Sequence, residues 1–298
     1  MSAPRPVGRP VRRTGPSVRR SVISLALLAC LVCGWLVWDN QRIVTTTYAG
    51  VSVRLPAAFD GLRIVQVSDL HSRSFGKDNE RLLEAIADAR PDLIVLTGDL
   101  IDRTTADPAT ALDFSQRAAE IAPVFSVTGN HEGASPLRRE LLEGLQARGV
   151  RTLAGTSADL ERDGEVLRIA GVDDPLVAGT AADGDAGGSG FAQQLAAVAT
   201  GPEDPCTVLL AHRPELVEEY AATGADLVLS GHAHGGQVRI PFIGGLVAPG
   251  QGLLPELTSG IVERGETRMV ISRGLGNSLV PLRVNNKPEL VVLVLRTR

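Results

Sequence analysis

One unit occurs three times in succession in this sequence: an apolar run of strand length, a polar loop, and a segment with helical periodicity. The apolar runs span residues 62–67, 92–97 and 124–127. Helical segments follow them over residues 78–90, from Asp107-Pro108 onward, and from Ser135-Pro136 to about Arg148. This alternation predicts an α/β fold in which the polar loops lie together along one edge of a sheet.

Further strand-like runs flank this repeat on both sides. They span residues 43–55, 150–171, 207–211, 225–229, 269–272 and 290–295. Residues 178–190 form a tract in which no apolar side chain is larger than alanine, and this composition predicts a mobile loop. The chain is 44% hydrophobic and 21% charged over 298 residues, which is enough to bury a substantial core. We assign residues 61–298 to one domain and residues 39–60 to a linker and first strand.

The loops that follow five of these strands carry side chains of metal-binding type. They are Asp69, His71, Asp99, Asn130, His212, His232 and His234, and His131 lies beside Asn130. All five histidines of the chain lie in these loops. Carboxylates, imidazoles and a carboxamide suit two divalent metal ions of intermediate softness, such as Mn, Fe or Zn, rather than a thiolate site or an all-oxygen Mg site.

The pair His232 and His234 is weak evidence when taken alone, because two surface histidines would give the same pattern. Glycines at 231, 235 and 236 flank the pair and allow the backbone to bend, so that both rings can face one ion. The pair also follows the strand-like run 225–229, and α/β sheets hold their ligands at the carboxyl ends of strands. Together with the other four loops, the pair favours a metal centre.

Two divalent ions about 3.5–4 Å apart can hold a shared hydroxide and contact both the attacking and the leaving oxygen of a phosphoryl transfer. One residue must then bridge the ions, and a carboxylate is the natural choice because it has two oxygens. No serine, cysteine or unassigned carboxylate stands among the motifs as a nucleophile. We therefore expect in-line attack by a metal-bridging hydroxide, without a phosphoenzyme.

The five motifs together resemble the signature of the calcineurin-like metallophosphoesterase superfamily. They are Asp69-Leu70-His71, Gly98-Asp99, Gly129-Asn130-His131-Glu132, His212 and Gly231-His232-Ala233-His234, and they cover roughly residues 60–240. The apolar N-terminal segment, the Gly-His-Ala-His-Gly-Gly-Gln form of the last motif and the segment Ser272-Arg273-Gly274-Leu275-Gly276 are most similar to the small membrane-associated bacterial subgroup of the YkuE and YaeI type.

The resemblance implies a four-layer α-β-β-α sandwich of two mixed sheets. By the same resemblance, one metal would be held by Asp69, His71, Asp99 and His234, and the other by Asp99, Asn130, His212 and His232. Asp99 would bridge the two ions, and His131 would sit over the phosphate as a catalytic residue without binding metal.

The implied function is a phosphodiesterase or pyrophosphatase acting on a phosphate-ester substrate. The alternatives are a phosphomonoesterase, a protein phosphatase, or a non-catalytic exported binding protein on the same fold. The last alternative predicts broken metal ligands, whereas this sequence departs from the ligand pattern nowhere.

Other charged residues have two interpretations each. Arg213 and Arg273 are candidate substrate-binding residues that would grip phosphate bidentately, or else ordinary surface charges. Asp102 and Glu132 would support histidine ligands, or else be solvated. Asp173-Asp174, before Pro175, would order a loop near the site or form a solvated turn.

The N-terminus predicts a membrane anchor. Residues 1–20 hold six arginines and no acidic residue, and their composition predicts a disordered cytoplasmic tail. Residues 21–38 carry no charge and end in Trp35 and Trp38, which suits a transmembrane helix. Because the arginines should stay in the cytoplasm, we expect a single-pass protein of the cell membrane with an extracytoplasmic catalytic domain.

Three alternatives to a retained anchor stay open. The segment could be a cleaved signal peptide, although Asp39-Asn40-Gln41-Arg42 follows it where a cleavage site would stand. Arg19-Arg20 could open a twin-arginine export signal. Leu27-Leu28-Ala29-Cys30 resembles a lipoprotein cleavage box, yet the apolar run continues beyond the cysteine.

The charge and cysteine content of the chain limit which partners and which disulfides we expect. Net charge is −4 although the first 20 residues are basic, so the globular part is acidic and no nucleic acid is expected as a stable partner. Cys206 is the single cysteine after the apolar segment, which excludes a disulfide within the domain. A monomer is the default expectation for the oligomeric state.

An apolar loop, residues 238–255, follows the two last metal-ligand candidates. It would either pack under the sheet as core or form an apolar lip beside the metals. A lip, in a domain tethered to a membrane, would suit an amphiphilic substrate such as a lipid-linked phosphodiester or pyrophosphate.

Overall fold

The computed structural model describes residues 16–179, 189–277 and 282–297. The chain divides into two compact units, Met1–Asp39 and Asn40–Arg298. Most of the arginine-rich tail and most of the small-residue tract, residues 1–15 and 180–188, lie outside the described residues, and what was predicted for them stays a prediction.

Helix α1, Pro16–Asn40, contains the whole predicted anchor, residues 21–38. It also contains Arg19 and Arg20, which the sequence placed in the disordered tail. The segment Arg19–Asn40 is long and apolar enough to cross a membrane, by length and composition. A helix of this kind near an N-terminus is weak evidence for a membrane span, since a signal sequence shares both properties.

The first half of the second unit alternates strands with helices. Its elements are β1 Val44–Ser52, β2 Arg63–Val67, α2 Glu80–Asp88, β3 Leu93–Thr97, α3 Ala109–Ala119, β4 Val124–Val127, α4 Asn130–Ala134, α5 Arg138–Ala147 and β5 Arg151–Thr152. The second half begins with β6 Thr156–Arg162, β7 Glu165–Gly171, α6 Pro175–Ala178, α7 Ser189–Ala197, β8 Cys206–Leu210, α8 Val217–Ala222 and β9 Leu227–Ser230. It ends with β10 Arg239–Ile240, β11 Gly244–Gly245, β12 Val247–Ala248, β13 Gly252–Leu253, β14 Gly260–Arg264, β15 Thr267–Ile271 and β16 Glu289–Thr297.

The long strands form two six-stranded mixed sheets. The first has the order β1-β16-β2-β3-β4-β5, with β16 antiparallel to β2 and the neighbouring pairs on either side parallel. The second has the order β14-β15-β9-β8-β7-β6, with four central parallel strands and an antiparallel strand at each edge. Parallel strands buried on both faces are near-continuous apolar runs, which is why the sequence revealed them.

Alternation of side chains along the strands separates the core into layers. An inner cluster joins the two sheets and includes Ile64, Val95, Phe125, Val208, Leu210 and Leu229. The outer face of the first sheet packs on α2, α3 and α5 through Val65, Ile94, Leu96, Leu82, Leu112 and Leu141. The outer face of the second sheet packs on α8 through Leu209, Val228, Val217 and Tyr220. The predicted α-β-β-α sandwich is confirmed.

The apolar segment 238–255 belongs to neither large sheet. It folds into two small antiparallel hairpins, β10 with β11 and β12 with β13. Phe242 at the first hairpin's tip is 109% exposed and Leu253 is 82% exposed. The alternative that this loop packs as core is therefore wrong for these side chains.

Candidate metal centre

Each predicted ligand follows the carboxyl end of a strand, and the two sheets bring these ends together. Asp69 and His71 follow β2, Asp99 follows β3, and α4 begins at Asn130 after β4. In the second sheet His212 follows β8, and His232 and His234 follow β9. Residues from all five loops therefore meet in one place, where the groups Asp69–His71–Asp99–His234 and Asp99–His212–His232 each hold their ligand atoms within 4.8 Å of one another.

Five of the seven predicted ligands have left-handed backbone conformations, with φ between 48° and 64°. They are Asp69, His71, Asp99, His232 and His234. Residues other than glycine rarely adopt this region, and such strain concentrates at functional sites. The loops therefore bend sharply at these five ligands, so that their side chains face the other loops.

Glycines at two positions allow the loops to approach closely. A Cβ at Gly129 would lie 2.2 Å from Asp99 Oδ1, and a Cβ at Gly231 would lie 2.3 Å from Asp69 Oδ2. Both distances are far shorter than any contact a side chain tolerates, so these motif positions require glycine.

The first ligand group has donor atoms at short separations. His71 Nε2 lies 3.2 Å from His234 Nε2 and 3.7 Å from Asp99 Oδ2. His234 Nε2 lies 3.5 Å from Asp69 Oδ1. All four residues are buried.

The second ligand group converges on His212 Nε2. This nitrogen lies 3.1 Å from Asn130 Oδ1, 3.1 Å from His232 Nδ1 and 3.3 Å from Asp99 Oδ2. His212 Nδ1 lies 2.8 Å from the carbonyl oxygen of Thr97, so Nδ1 donates its proton to that oxygen and Nε2 is the nitrogen that faces the other ligand atoms.

These separations fit metal coordination. Ligand atoms about 2.0–2.2 Å from one ion lie roughly 3–3.5 Å from each other. Asp99 Oδ2 faces both groups, whereas Asp99 Oδ1 accepts a hydrogen bond from the backbone of His131. A single oxygen of Asp99, not its two oxygens separately, is thus placed to be shared.

Two histidine nitrogens opposite the ligand atoms face carboxylates. His71 Nδ1 lies 3.7 Å from Asp102 Oδ2, and His232 Nε2 lies 3.6 Å from Glu215 Oε1. Carboxylates in this position orient metal-binding histidines. Neither nitrogen makes a hydrogen bond at these distances, so support of His71 by Asp102 stays a prediction. Glu215 was missed because no spacing in the sequence links it to His232.

Burial sets the protonation of the site. It lowers the pKa of His71 to about 4 and that of His232 to about 2, so both rings are neutral, which is the metal-binding form. Burial raises the pKa of Asp69 to about 6. Although burial opposes a charge on His212, the Asp99 carboxylate raises the pKa of His212 to about 10. Two buried carboxylates among four imidazoles form a donor set suited to cations.

His131 lies against the first group without contributing to it. Its ring packs edge-on against His71 with centroids 4.5 Å apart, and its Nδ1 accepts a hydrogen bond from the backbone of Arg103. In the neutral ring the proton therefore sits on Nε2. His131, His71 and Asp102 also form a third close group of ligand-type atoms.

Glu132 neither supports a histidine ligand nor faces solvent, the two roles expected of it. It is buried, so it is not solvated, and its carboxylate accepts hydrogen bonds from the backbone N–H groups of Asp99, Gly129 and Ile101 rather than from a histidine. Burial raises its pKa to about 7. Glu132 thus holds the loops after β3 and β4 together.

The candidate phosphate-binding arginines are both paired with carboxylates. Arg213 makes a bidentate ion pair with Asp174, at 2.6 and 3.1 Å. Arg273 bonds Glu289 Oε1 at 2.8 Å. Asp174 is buried, so the solvated-turn interpretation is wrong for it. Phosphate binding by either arginine stays a prediction.

Arg283 was missed entirely. Its guanidinium is fully buried, donates to the carbonyl oxygens of Gly276 and Arg273, and lies 3.3 Å from His234 Nδ1. Burial lowers its pKa to about 9. No motif surrounds Arg283 in the sequence, so only the folded chain reveals its position.

Comparisons with known proteins agree with this geometry. A model of the family described as Calcineurin-like phosphoesterase matches residues 62–236, a range that includes all seven predicted ligands. The uncharacterized metallophosphoesterase YkuE of Bacillus subtilis is 29% identical over 270 residues, covering 87% of this chain and 87% of YkuE. The phosphodiesterase YaeI of Escherichia coli is 30% identical over 240 residues, covering 78% of this chain and 82% of YaeI. A transmembrane protein with metallophosphoesterase domain from Danio rerio is 28% identical, covering 94% of this chain and 63% of that protein.

Proposed function

The chain belongs to the calcineurin-like phosphoesterase family, and from that membership we propose that it hydrolyses phosphodiesters or pyrophosphates with two metal ions. Membership makes it a metal-dependent phosphoesterase. The observation that carries the dinuclear proposal is the position of Asp99 Oδ2, which faces His71 Nε2 on one side and His212 Nε2 on the other.

The residue roles follow from the two groups. Asp69, His71, Asp99 and His234 would hold one ion, and Asp99, Asn130, His212 and His232 the other. When bound, two divalent ions supply an activated water and positive charge against the phosphoryl oxygens. Mn, Fe and Zn are the metals that the donor set suits.

The chain's own groups support attack by water. The hydroxyl of Ser68, beside Asp69, is buried and donates to Asp69 Oδ2 at 2.6 Å, so it orients a ligand rather than facing a substrate. His131, with its proton on Nε2, would donate to the leaving oxygen. Arg213 and Arg273 would contact phosphate from the rim while still held by Asp174 and Glu289.

The substrate class rests on less direct support. The name of the relative YaeI is phosphodiesterase, which favours a diester. Helix α1 and the exposed apolar residues of segment 238–255 favour an amphiphilic, lipid-linked substrate. We propose that α1 is a single-pass anchor in the cell membrane, that residues 61–298 form the phosphoesterase domain, and that this domain is extracytoplasmic.

The test uses the full chain in detergent, loaded with Mn²⁺. We expect a higher kcat/KM for bis-p-nitrophenyl phosphate than for p-nitrophenyl phosphate, and a further increase for a phosphodiester bearing a lipid over its delipidated headgroup. Preference for the monoester would replace the proposal with a phosphomonoesterase. Absence of hydrolysis with any of Mn, Fe and Zn would point to a binding protein.

Oxygen labelling tests the direct attack. Hydrolysis in ¹⁸O-water should place the label in the phosphoryl product, because water attacks phosphorus rather than carbon. A phosphoenzyme opened by water would give the same label, so acid quenching during turnover should in addition recover no phosphorylated protein. Trapping of a covalent phosphoryl-enzyme would refute this part of the proposal.

A further inference from the structure

Large apolar side chains are exposed mainly in one stretch of the second unit. Among the described residues from Asn40 onward, nine large apolar side chains are exposed, and six of them lie between residues 240 and 254. These six define the apolar hairpin surface: Ile240, Phe242, Ile243, Val247, Leu253 and Leu254. Contiguous exposed apolar side chains mark an interaction site far more often than scattered single ones do.

The backbone of this surface is held in place. The amide of Leu246 donates to the carbonyl oxygens of Gly236 and Val238, and the amide of Leu254 donates to that of Leu246. Phe242 and Leu254 have φ values of 67° and 52°. Left-handed conformations are unfavourable for such residues, so the fold stores strain here while presenting apolar side chains outward, as binding sites commonly do.

The apolar hairpin surface lies close to Asn40, where α1 ends and the second unit begins. Asn40 and Arg283 exchange two hydrogen bonds, at 2.8 and 2.9 Å. The next residue along, Val284, forms a β-bridge with Val238, and its carbonyl oxygen accepts from the amide of Arg239, where the first hairpin begins. The candidate membrane span, Arg19–Asn40, thus ends at a residue of this unit that bonds Arg283, and the neighbouring Val284 bonds the start of the first hairpin.

The charge of the segment is compatible with an anionic lipid surface. Residues 238–255 contain one basic residue, Arg239, and no acidic residue. Nothing in the segment therefore repels acidic headgroups. An aromatic ring and aliphatic side chains at hairpin tips can enter the region between headgroups and acyl chains, where apolar burial drives binding.

We propose that the apolar hairpin surface contacts a phospholipid bilayer. The bilayer is the occupant that also explains why the surface adjoins the entry point of an apolar helix on the same chain. His232 and His234 precede the first hairpin by a few residues, so bilayer contact would hold the metal centre near the headgroups. The proposal depends on the membrane placement of α1 but not on catalysis.

The test measures contact with lipid directly on the full chain in vesicles of phosphatidylcholine and phosphatidylglycerol. Phe242→Cys is labelled with a polarity-sensitive fluorophore in a Cys30→Ala, Cys33→Ala background. Cys206 is buried, and burial raises the pKa of its thiol to about 12, so it stays unlabelled. Val53→Cys is the matched control, because Val53 is an exposed apolar residue of the same unit, outside the hairpins.

The label at position 242 should be quenched by lipids brominated in the acyl chain and protected from aqueous iodide, and the label at position 53 should show the reverse. Leu253→Cys should behave like Phe242→Cys, and each variant should unfold at the wild-type temperature. Equal iodide quenching at 242 and 53 would overturn the proposal. Protection from iodide without quenching by brominated lipid would assign the surface to a second copy or a protein partner, and would overturn it too.

Discussion

At the scale of single residues, Asp99 carries more of the proposed chemistry than any other side chain, because one of its oxygens faces both ligand groups. Asp99→Ala removes a ligand from each group. It also removes the negative charge between the two ion sites, so that two bound cations would repel each other. We expect this variant to bind neither Mn²⁺ ion and to show no hydrolysis, as measured by metal analysis after gel filtration. Asp102→Ala, which removes a carboxylate beside His71 but no ligand, should still bind two ions at saturating Mn²⁺. Two ions in Asp99→Ala would refute the shared position.

His131 should behave differently from the ligands. If it donates a proton to the leaving oxygen, His131→Ala should lower kcat by roughly 10²–10⁴-fold. Metal content should stay at the wild-type value, because the ring of His131 contacts His71 without completing either predicted group. An empty metal centre in His131→Ala would show that His131 is a ligand after all.

The sequence identified the residues that meet at the centre, because carboxylates and imidazoles placed after apolar strands have few other uses. It did not identify the residues that hold them. Glu132 accepts hydrogen bonds from backbone amides, and Arg283 donates to backbone carbonyls. Backbone groups are the same in every residue, so no sequence motif marks these partners. Nor could it foresee that Asp99 would offer one oxygen to both groups, since that depends on the hydrogen bond from His131.

At the scale of elements, Glu132 tests how the site loops are held. Glu132→Ala would leave three buried N–H groups, those of Asp99, Gly129 and Ile101, without an acceptor. We expect a loss of about 3 kcal/mol in the free energy of unfolding, since unsatisfied buried donors are costly. Calorimetry of the full chain measures this loss. Glu140→Ala, on the exposed side of α5, is the control and should change stability little; equal effects of the two substitutions would contradict the role given to Glu132.

Element prediction succeeded where burial was complete. Strands β2, β3, β4, β8, β9 and β16 were recognised as apolar runs. Helix α3 begins at Ala109, two residues after Asp107, and Asp107 Oδ1 accepts a hydrogen bond from the amide of Ala109. Strand β14 and helix α8 were not predicted. β14 is an edge strand that alternates exposed and half-buried residues, and α8 has six residues, too few to show a helical period. The hairpins of segment 238–255 depend on tertiary contacts.

At the scale of the whole molecule, stability rests on the contact between the two sheets. Phe125 is fully buried in the cluster that joins them, whereas Phe242 is fully exposed. Phe125→Ala should lower the free energy of unfolding by about 3–5 kcal/mol, while Phe242→Ala should change it by less than about 0.5 kcal/mol. Urea unfolding followed by circular dichroism separates these outcomes. A similar loss in both variants would contradict the assignment of Phe125 to the core between the sheets.

The fold class was predictable from the whole sequence because the strand–loop–helix unit recurs and the five motifs occur in order. The helix at the N-terminus was equally visible, because 18 uncharged residues stand out in any chain. The exposure of the apolar hairpins could not be predicted from the sequence, because an apolar loop has the same composition whether it packs in the core or lies on the surface. Only the exposure of its side chains distinguishes the two.

A single hydrolytic centre, in which one shared aspartate joins two ion sites, is the core of the proposed function. Its most direct test is a titration of the chelator-treated full chain with Mn²⁺, in which bound metal and hydrolysis of bis-p-nitrophenyl phosphate are followed together. We predict no hydrolysis in chelator, two ions bound per chain at saturation, and activity that rises as the second ion binds. Full hydrolysis in chelator, or activity that saturates with one bound ion, would contradict the claim.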